Sequence, residues 1–189
     1  MSKPRLLAHI CCAPDAAYVL KLLKEKYDVS GYFYNPNIHP TGEYRLRLEE
    51  ARRVAGVLNF RLVEEVFDEE RWMALTRRFR DEPEKGRRCD VCYAIRLQKT
   101  AQAAARLGFE CFTTIMSLSP WKKADVLNRI GRMFGRRHQV FFLEADFKKK
   151  DGFRRSVALS RDMHLYRQSY CGCVYSQKKA KGTSGEPEK

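Results

Sequence analysis

Ala8-His9-Ile10-Cys11-Cys12-Ala13-Pro14-Asp15 is the stretch on which the reading of this chain turns. An apolar run from Leu6 stops at two adjacent thiols. Beyond Pro14 and Asp15, Tyr18, Val19, Leu22 and Leu23 fall on one helical stripe, which predicts a helix over 15–27. A buried strand over 5–10 that passes straight into a helix is the opening unit of an α/β sheet. Such a sheet carries its chemistry at the carboxyl edge of its strands. Here that edge bears two thiols and a carboxylate.

Outward from this unit the alternation repeats. A strand is expected over 29–34, followed by the turn-rich Asn35-Pro36-Asn37-Ile38-His39-Pro40. Thr41 is placed to cap a helix whose buried stripe is Tyr44, Leu48, Ala51, Ala55 and Leu58. A third strand is expected over 60–66 and a helix from Asp68 to about residue 79. A polar loop, 80–88, leads into Cys89-Asp90-Val91-Cys92, which opens a long helix ended by Gly108. Then come a strand over 110–114, a loop over 116–120, a helix over 124–134 and a strand over 139–143. A further helix is expected over 151–159. The pattern is that of one α/β domain, residues 1–176, built as a three-layer, doubly wound parallel sheet. Residues 177–189 are polar and read as a disordered tail. GxGxxG and Walker A phosphate loops are absent.

The 189 residues carry 37 Lys and Arg against 23 Asp and Glu, a formal charge of +14, which favours a polyanionic partner such as nucleic acid. No apolar run reaches the roughly 18 residues of a membrane span. The start, M-S-K-P-R-L-L, lacks a signal-length apolar stretch, so a cytoplasmic location is expected.

Seven cysteines in a reducing compartment point to metal or redox chemistry rather than disulfides. Six form pairs: Cys11-Cys12, Cys89-x-x-Cys92 and Cys171-Gly172-Cys173. Cys111, inside a strand, reads as a small buried hydrophobe. The CxxC motif by itself suits zinc, an iron–sulfur cluster or thiol exchange. Adjacent cysteines are a poor chelate for one ion if their side chains point apart, and better suited to two neighbouring centres. Gly172 would let the backbone approach a bulky cluster. One [4Fe-4S] cluster uses four thiolates, which leaves two cysteines and Asp15 for a second, mononuclear metal, iron or zinc. The expected division puts Cys89 and Cys92 on the cluster with one cysteine from each other pair. His9 is either a support for the thiols or a polar strand end, and His39 sits in the turn at the same edge.

Five motifs in order carry a resemblance: L-L-A-H-I-C-C-A-P (6–14), G-Y-F-Y-N-P-N-I-H-P (31–40), C-x-x-C-Y-x-x-R-L (89–97), T-T-I-M-S-L-S-P (113–120) and Y-R-Q-S-Y-C-G-C-V-Y-S (166–176). Together they resemble the cobalamin-independent epoxyqueuosine reductases, the QueH family, over residues 5–176. The resemblance implies a nucleotide-alpha-hydrolase (HUP)-like fold and an iron–sulfur enzyme. It implies reductive removal of the epoxide oxygen of epoxyqueuosine at the wobble position of a tRNA with a GUN-type anticodon. It also implies an external electron donor, and ligand roles for Cys11, Cys12, Cys89, Cys92, Cys171 and Cys173. Asp15, His39 and Tyr34 are then the candidate proton donors. Arg87, Arg88, Lys148, Lys149, Lys150, Arg154 and Arg155 are the candidate RNA contacts. The alternatives are a tRNA sulfurtransferase of the same fold, disfavoured by the missing phosphate loop, and a non-catalytic, zinc-stabilised RNA-binding module.

Overall fold

The structure, a computed structural model, describes residues 2–181. Five strands form one parallel sheet in the order β3-β2-β1-β4-β5. The strands are β1 (Arg5–Ile10), β2 (Asp28–Phe33), β3 (Arg61–Glu64), β4 (Cys111–Thr114) and β5 (Phe141–Phe142). Between them run α1 (Ala13–Leu23), α2 (Thr41–Leu58), α3 (Glu69–Thr76), α4 (Arg87–Arg106) and α5 (Ala124–His138). Two helices follow the sheet, α6 (Gly152–Asp162) and α7 (Val174–Lys181).

β1 is central and buried on both faces, which is why it reads as a continuous apolar run rather than an alternation. Its side chains still divide by parity. Leu6, Ala8 and Ile10 join α1 and α2 in one core, while Leu7 joins α4, α5 and Phe112 in the other. Parallel strands need a helical crossover between them, and the helices cover both faces to complete the three layers. The chain leaves β1 toward β2 and β3, then returns to the other side of β1 as β4. The carboxyl ends of β1 and β4 therefore flank the topological switch point, where sheets of this kind open a crevice.

Several boundaries differ from the sequence reading for local reasons. α2 starts at Thr41, but Pro40 is the N-cap residue and no side chain caps the helix. α5 continues to His138 and ends on Gln139 in the left-handed region (φ 55°), which leaves only Phe141–Phe142 for the last strand. Gly131 permits α5 to lie on β5, since a Cβ there would stand 2.3 Å from the Phe142 ring. α7 takes in the first residues of the expected tail, and residues 182–189 lie outside the described residues. Among the described residues no helix is long and apolar enough to cross a membrane.

Candidate metal centre

Cys11 is the first residue beyond β1, and Cys12, in extended conformation (φ −163°, ψ 155°), is the N-cap residue of α1. Asp15 lies in the first turn of that helix and is buried. The ligand atoms of Cys11, Cys12 and Asp15 all fall within 4.8 Å of one another. The expectation that adjacent cysteines point apart holds for a continuing strand. Here the chain turns from strand to helix between them, so both thiols face Asp15. The hydrogen bond from Cys12 lowers the Cys11 thiol to about 6, against burial and with help from Arg96, Arg47 and Lys122. Cys12 moves up in turn, through that bond and its burial. Burial first, and the Cys11 charge second, push the Asp15 carboxyl up to about 7.

Cys89 and Cys92 lie in the first turns of α4, one turn apart on one face, and Arg96 continues the stripe. Burial raises both thiols. Arg96 is 2% exposed. Its Nη2 donates to Asn35 Oδ1 at 2.8 Å and its Nε to His9 Nε2 at 3.3 Å, and Asn35 in turn donates to the Ile10 carbonyl at 2.9 Å. His9 Nδ1 lies 3.1 Å from Thr114 Oγ1. His9 Nε2 also lies 3.2 Å from the Tyr34 carbonyl, so that nitrogen faces both a donor, Arg96, and an acceptor. Burial, followed by the Arg96 charge, keeps the ring neutral. His9 thus lies behind the site, with both ring nitrogens engaged by Thr114, Tyr34 and Arg96.

The third pair reaches the site from the far end of the chain. Arg47, on α2 and buried, donates from Nη2 to the Tyr170 carbonyl at 3.1 Å and from Nη1 to the Cys171 carbonyl at 3.3 Å, while Nε pairs with Glu43 at 2.7 Å. The His39 N–H donates to the Gly172 carbonyl at 2.8 Å, and the Tyr170 hydroxyl donates to the His39 carbonyl. Gly172 has φ +94°, and a Cβ there would come 2.9 Å from Ile38 and 3.2 Å from Arg47. The glycine thus serves a left-handed backbone turn packed against α2's approach loop. Lys122 Nζ lies 3.1 Å from Cys171 Sγ and 3.3 Å from Glu84. Burial pushes the Cys171 thiol up, but this ammonium more than offsets it and the net movement is downward.

A cleft of about 680 Å³ opens over these groups, lined among others by Cys11, Asp15, Arg96, Lys122, Cys171 and Trp121. Cys89, Cys92 and Cys173 lie buried in one cluster, with Cys11 and Cys171 packed against it. Cys111 is buried in β4, away from the cleft.

Other expectations need correction. Of the three candidate proton donors only Asp15 lines the cleft. Tyr34 is buried, and burial raises its phenol to about 12. The His39 ring turns away to Glu69 (3.2 Å) and Trp72, so its contribution is the backbone N–H. Arg88 is 2% exposed and its Nη1 donates to the carbonyls of Phe79, Arg80 and Glu82, so it is turned inward from the surface where phosphates would lie. Lys148 donates to the carbonyls of Ser117 and Lys122, both at 3.1 Å, and joins two loops. Arg87, Lys149, Lys150, Arg154 and Arg155 are exposed. The sequence reading missed Arg47, Lys122 and Glu84. Arg96 was legible as the Arg four residues after Cys92.

A family model described as "Epoxyqueuosine reductase QueH" matches residues 6–179. A protein of that name from Streptococcus pyogenes serotype M1 is 37% identical over 182 residues, covering 93% of this chain and 71% of the relative. One from Thermotoga maritima is 37% identical over 174 residues, covering 90% and 89%. Among solved structures, the U34-tRNA thiolase NcsA from Methanococcus maripaludis with its [4Fe-4S] cluster superposes with a TM-score of 0.59 at 13% identity, covering 93% of this chain and 62% of that one. A predicted subunit of tRNA methyltransferase from Methanocaldococcus jannaschii gives 0.59 at 12% identity, covering 84% and 76%. These two likenesses bear on the fold alone. With members of all three cysteine pairs gathered in one cluster beside the cleft and the family match running almost end to end, the chain belongs to the epoxyqueuosine reductase QueH family.

Proposed function

We propose that the protein reduces epoxyqueuosine in the wobble position of a tRNA with a GUN-type anticodon to queuosine. The overall change takes two electrons and two protons: the two C–O bonds of the epoxide break, the ring alkene forms and the oxygen leaves as water. The observation that carries this reading is that Cys11, Asp15 and Cys171 line the crevice beside β1, with Cys12 grouped with Cys11 and Cys89, Cys92 and Cys173 in the buried cluster against it. Seven free thiols suit a reducing cytoplasm.

The donor set fits two metal groups. Cys11, Cys12 and Asp15, gathered within 4.8 Å, would hold one iron or zinc with a position left open. Cys89, Cys92, Cys171 and Cys173 are the four thiols that remain for a [4Fe-4S] cluster. This division differs from the one expected from the sequence, because both thiols of the first pair group with the carboxylate. Trp72 supports the fit: its buried indole N–H lies beside the Cys92 sulfur and lowers that thiol, as a donor to a thiolate ligand would. When bound, such groups supply single electrons and a Lewis acid for oxygen.

The chain's own residues do the rest. Arg96 stands between Cys11, Cys92 and Cys171 and offsets their negative charge. Lys122, raised well above its ordinary value chiefly by Cys171 despite its burial, stays an ammonium and can stabilise negative oxygen in the cleft. Arg47 and the His39 N–H hold the last cysteine pair in place. The cleft receives a base only after it leaves its stack. An external electron donor completes the cycle.

Anaerobic reconstitution with iron and sulfide, followed by absorption spectra, metal analysis and mass spectrometry of nucleosides from dithionite-treated epoxyqueuosine tRNA, tests the proposal. A visible chromophore and loss of one oxygen from the nucleoside are expected. A colourless zinc protein would sink it in favour of an RNA-binding module, and a gain of sulfur in favour of thiolation.

A further inference from the structure

Large apolar side chains on a protein surface are ordinary when scattered, and informative when they gather at a functional opening. Among the described residues, Trp121 (63% exposed) and Phe153 (37% exposed) are the large exposed hydrophobics that line the cysteine cleft. The contrast with Trp72, which is fully buried, shows that this fold does have room for an indole in its core.

The two rings are mounted on a loop and a helix start that the structure ties together. Trp121 follows the 3-10 segment Ile115–Leu118, in a turn closed by its own N–H donating to Ser119 Oγ at 3.3 Å. Phe153 is the second residue of α6, where Gly152 packs so closely that a Cβ would stand 1.8 Å from the Phe147 carbonyl oxygen. Lys148 joins the two loops through the carbonyls of Ser117 and Lys122, and the Phe147 N–H reaches Ser117 Oγ at 3.4 Å. The rim is thus held by hydrogen bonds between side chains and backbone, and the rings are presented to solvent from it.

Cations accompany them. The Lys85 ammonium lies 5.1 Å from the centre of the Trp121 ring, and the exposed Lys149, Lys150, Arg154 and Arg155 flank Phe153 in the sequence. Aromatic faces set among exposed cations are the construction that binds unpaired nucleotides: the bases stack and the phosphates meet charge.

We infer that Trp121 and Phe153 form a stacking platform at the cleft mouth for unpaired bases of the anticodon loop, and that this platform replaces the stacking that the target base and its neighbours lose. The inference rests on the tRNA substrate proposed above and adds which residues receive the loop. Stacking on an aromatic ring is worth about 1–3 kcal/mol per base. That corresponds to a weakening of about 5- to 150-fold for Trp121→Ala.

The test uses the reconstituted holoprotein and a synthetic anticodon stem–loop RNA with an unmodified GUN anticodon. Tryptophan fluorescence reads the contact directly, since the chain has two tryptophans and Trp72 is buried. The RNA should quench the wild type and fail to quench Trp121→Ala. Dissociation constants for Trp121→Ala and Phe153→Ala should rise about 5-fold or more. Trp121→Phe should recover most of the affinity, and Val57→Ala, at an exposed position on α2, should bind as wild type does. Binding of a fully paired RNA duplex should not change in any variant, because its bases cannot stack on the rim.

Unchanged stem–loop affinity in both alanine variants overturns the inference, as does equal weakening on duplex and loop. Unchanged RNA affinity with weaker reduction by a protein donor would mean that the rim docks the donor instead. The two readings fail separately. Loop-selective loss without epoxide reduction by the wild type defeats only the proposed activity. Epoxide reduction with unaltered RNA binding in the variants defeats only the platform.

Discussion

The Lys122 ammonium lies 3.1 Å from the Cys171 thiol, with Glu84 3.3 Å away on its other side. The lysine side chain is only 9% exposed, so water screens the contact weakly. A cation held against Cys171, one of the proposed cluster ligands, would favour the more negative, reduced state. Lys122→Met should therefore move the midpoint potential of the reconstituted protein to more negative values while leaving iron and sulfide content unchanged. Redox titration followed by absorbance checks this, and an unmoved potential would remove Lys122 from any electrostatic role.

Asp15 is the carboxylate of the Cys11-Cys12 group. Asp15→Ala should retain the iron–sulfur chromophore, lower the metal bound beyond the cluster and abolish epoxide reduction. Loss of the chromophore itself would contradict the division of ligands proposed here.

Arg47 bonds to two carbonyls of the 170–171 segment while paired to Glu43. Lysine offers one point of charge in place of a planar fork, so Arg47→Lys cannot reproduce the arrangement. A loss of about 2–3 kcal/mol is expected from the buried bonds left unmade. Urea unfolding of the metal-free protein measures it, and proteolysis within 166–173 should accelerate.

Gly172→Ala brings a Cβ into the left-handed region at φ +94° and within 2.9 Å of Ile38. The strain should cost about 1–3 kcal/mol and misplace Cys171 and Cys173. Iron incorporation per chain after reconstitution should fall, whereas Gly56→Ala, where nothing lies within 4 Å of the added atom, should load normally.

Five of the expected RNA contacts, Arg87, Lys149, Lys150, Arg154 and Arg155, remain exposed. If about five phosphates are neutralised, stem–loop affinity should fall about 100-fold between roughly 50 and 200 mM salt. Lys149→Gln with Lys150→Gln should flatten that slope by one to two units. Arg88→Gln should not flatten it, because Arg88 is already committed to three carbonyls, and should lower stability instead.

Local chemistry determined much of this protein in advance. The apolar run of β1, the helical stripe after Pro14 and the regular alternation that follows write the parallel α/β sheet into the sequence, since strand and helix periods are properties of neighbouring residues. The three cysteine pairs and Asp15 are legible for the same reason: each motif is short, and thiols that recur in pairs have few other uses. What the sequence could not show is how those motifs meet. Arg47 stands more than 120 positions from the carbonyls it holds, and Lys122 is 49 positions from Cys171. No local pattern announces such pairs. Burial also decided which cations are free, for Arg88 and Lys148 look like Arg87 and Lys149 in the sequence but turn inward to satisfy carbonyls. The strand-to-helix turn at Cys11-Cys12 brings both thiols onto Asp15, and only the path of the backbone in three dimensions could decide that.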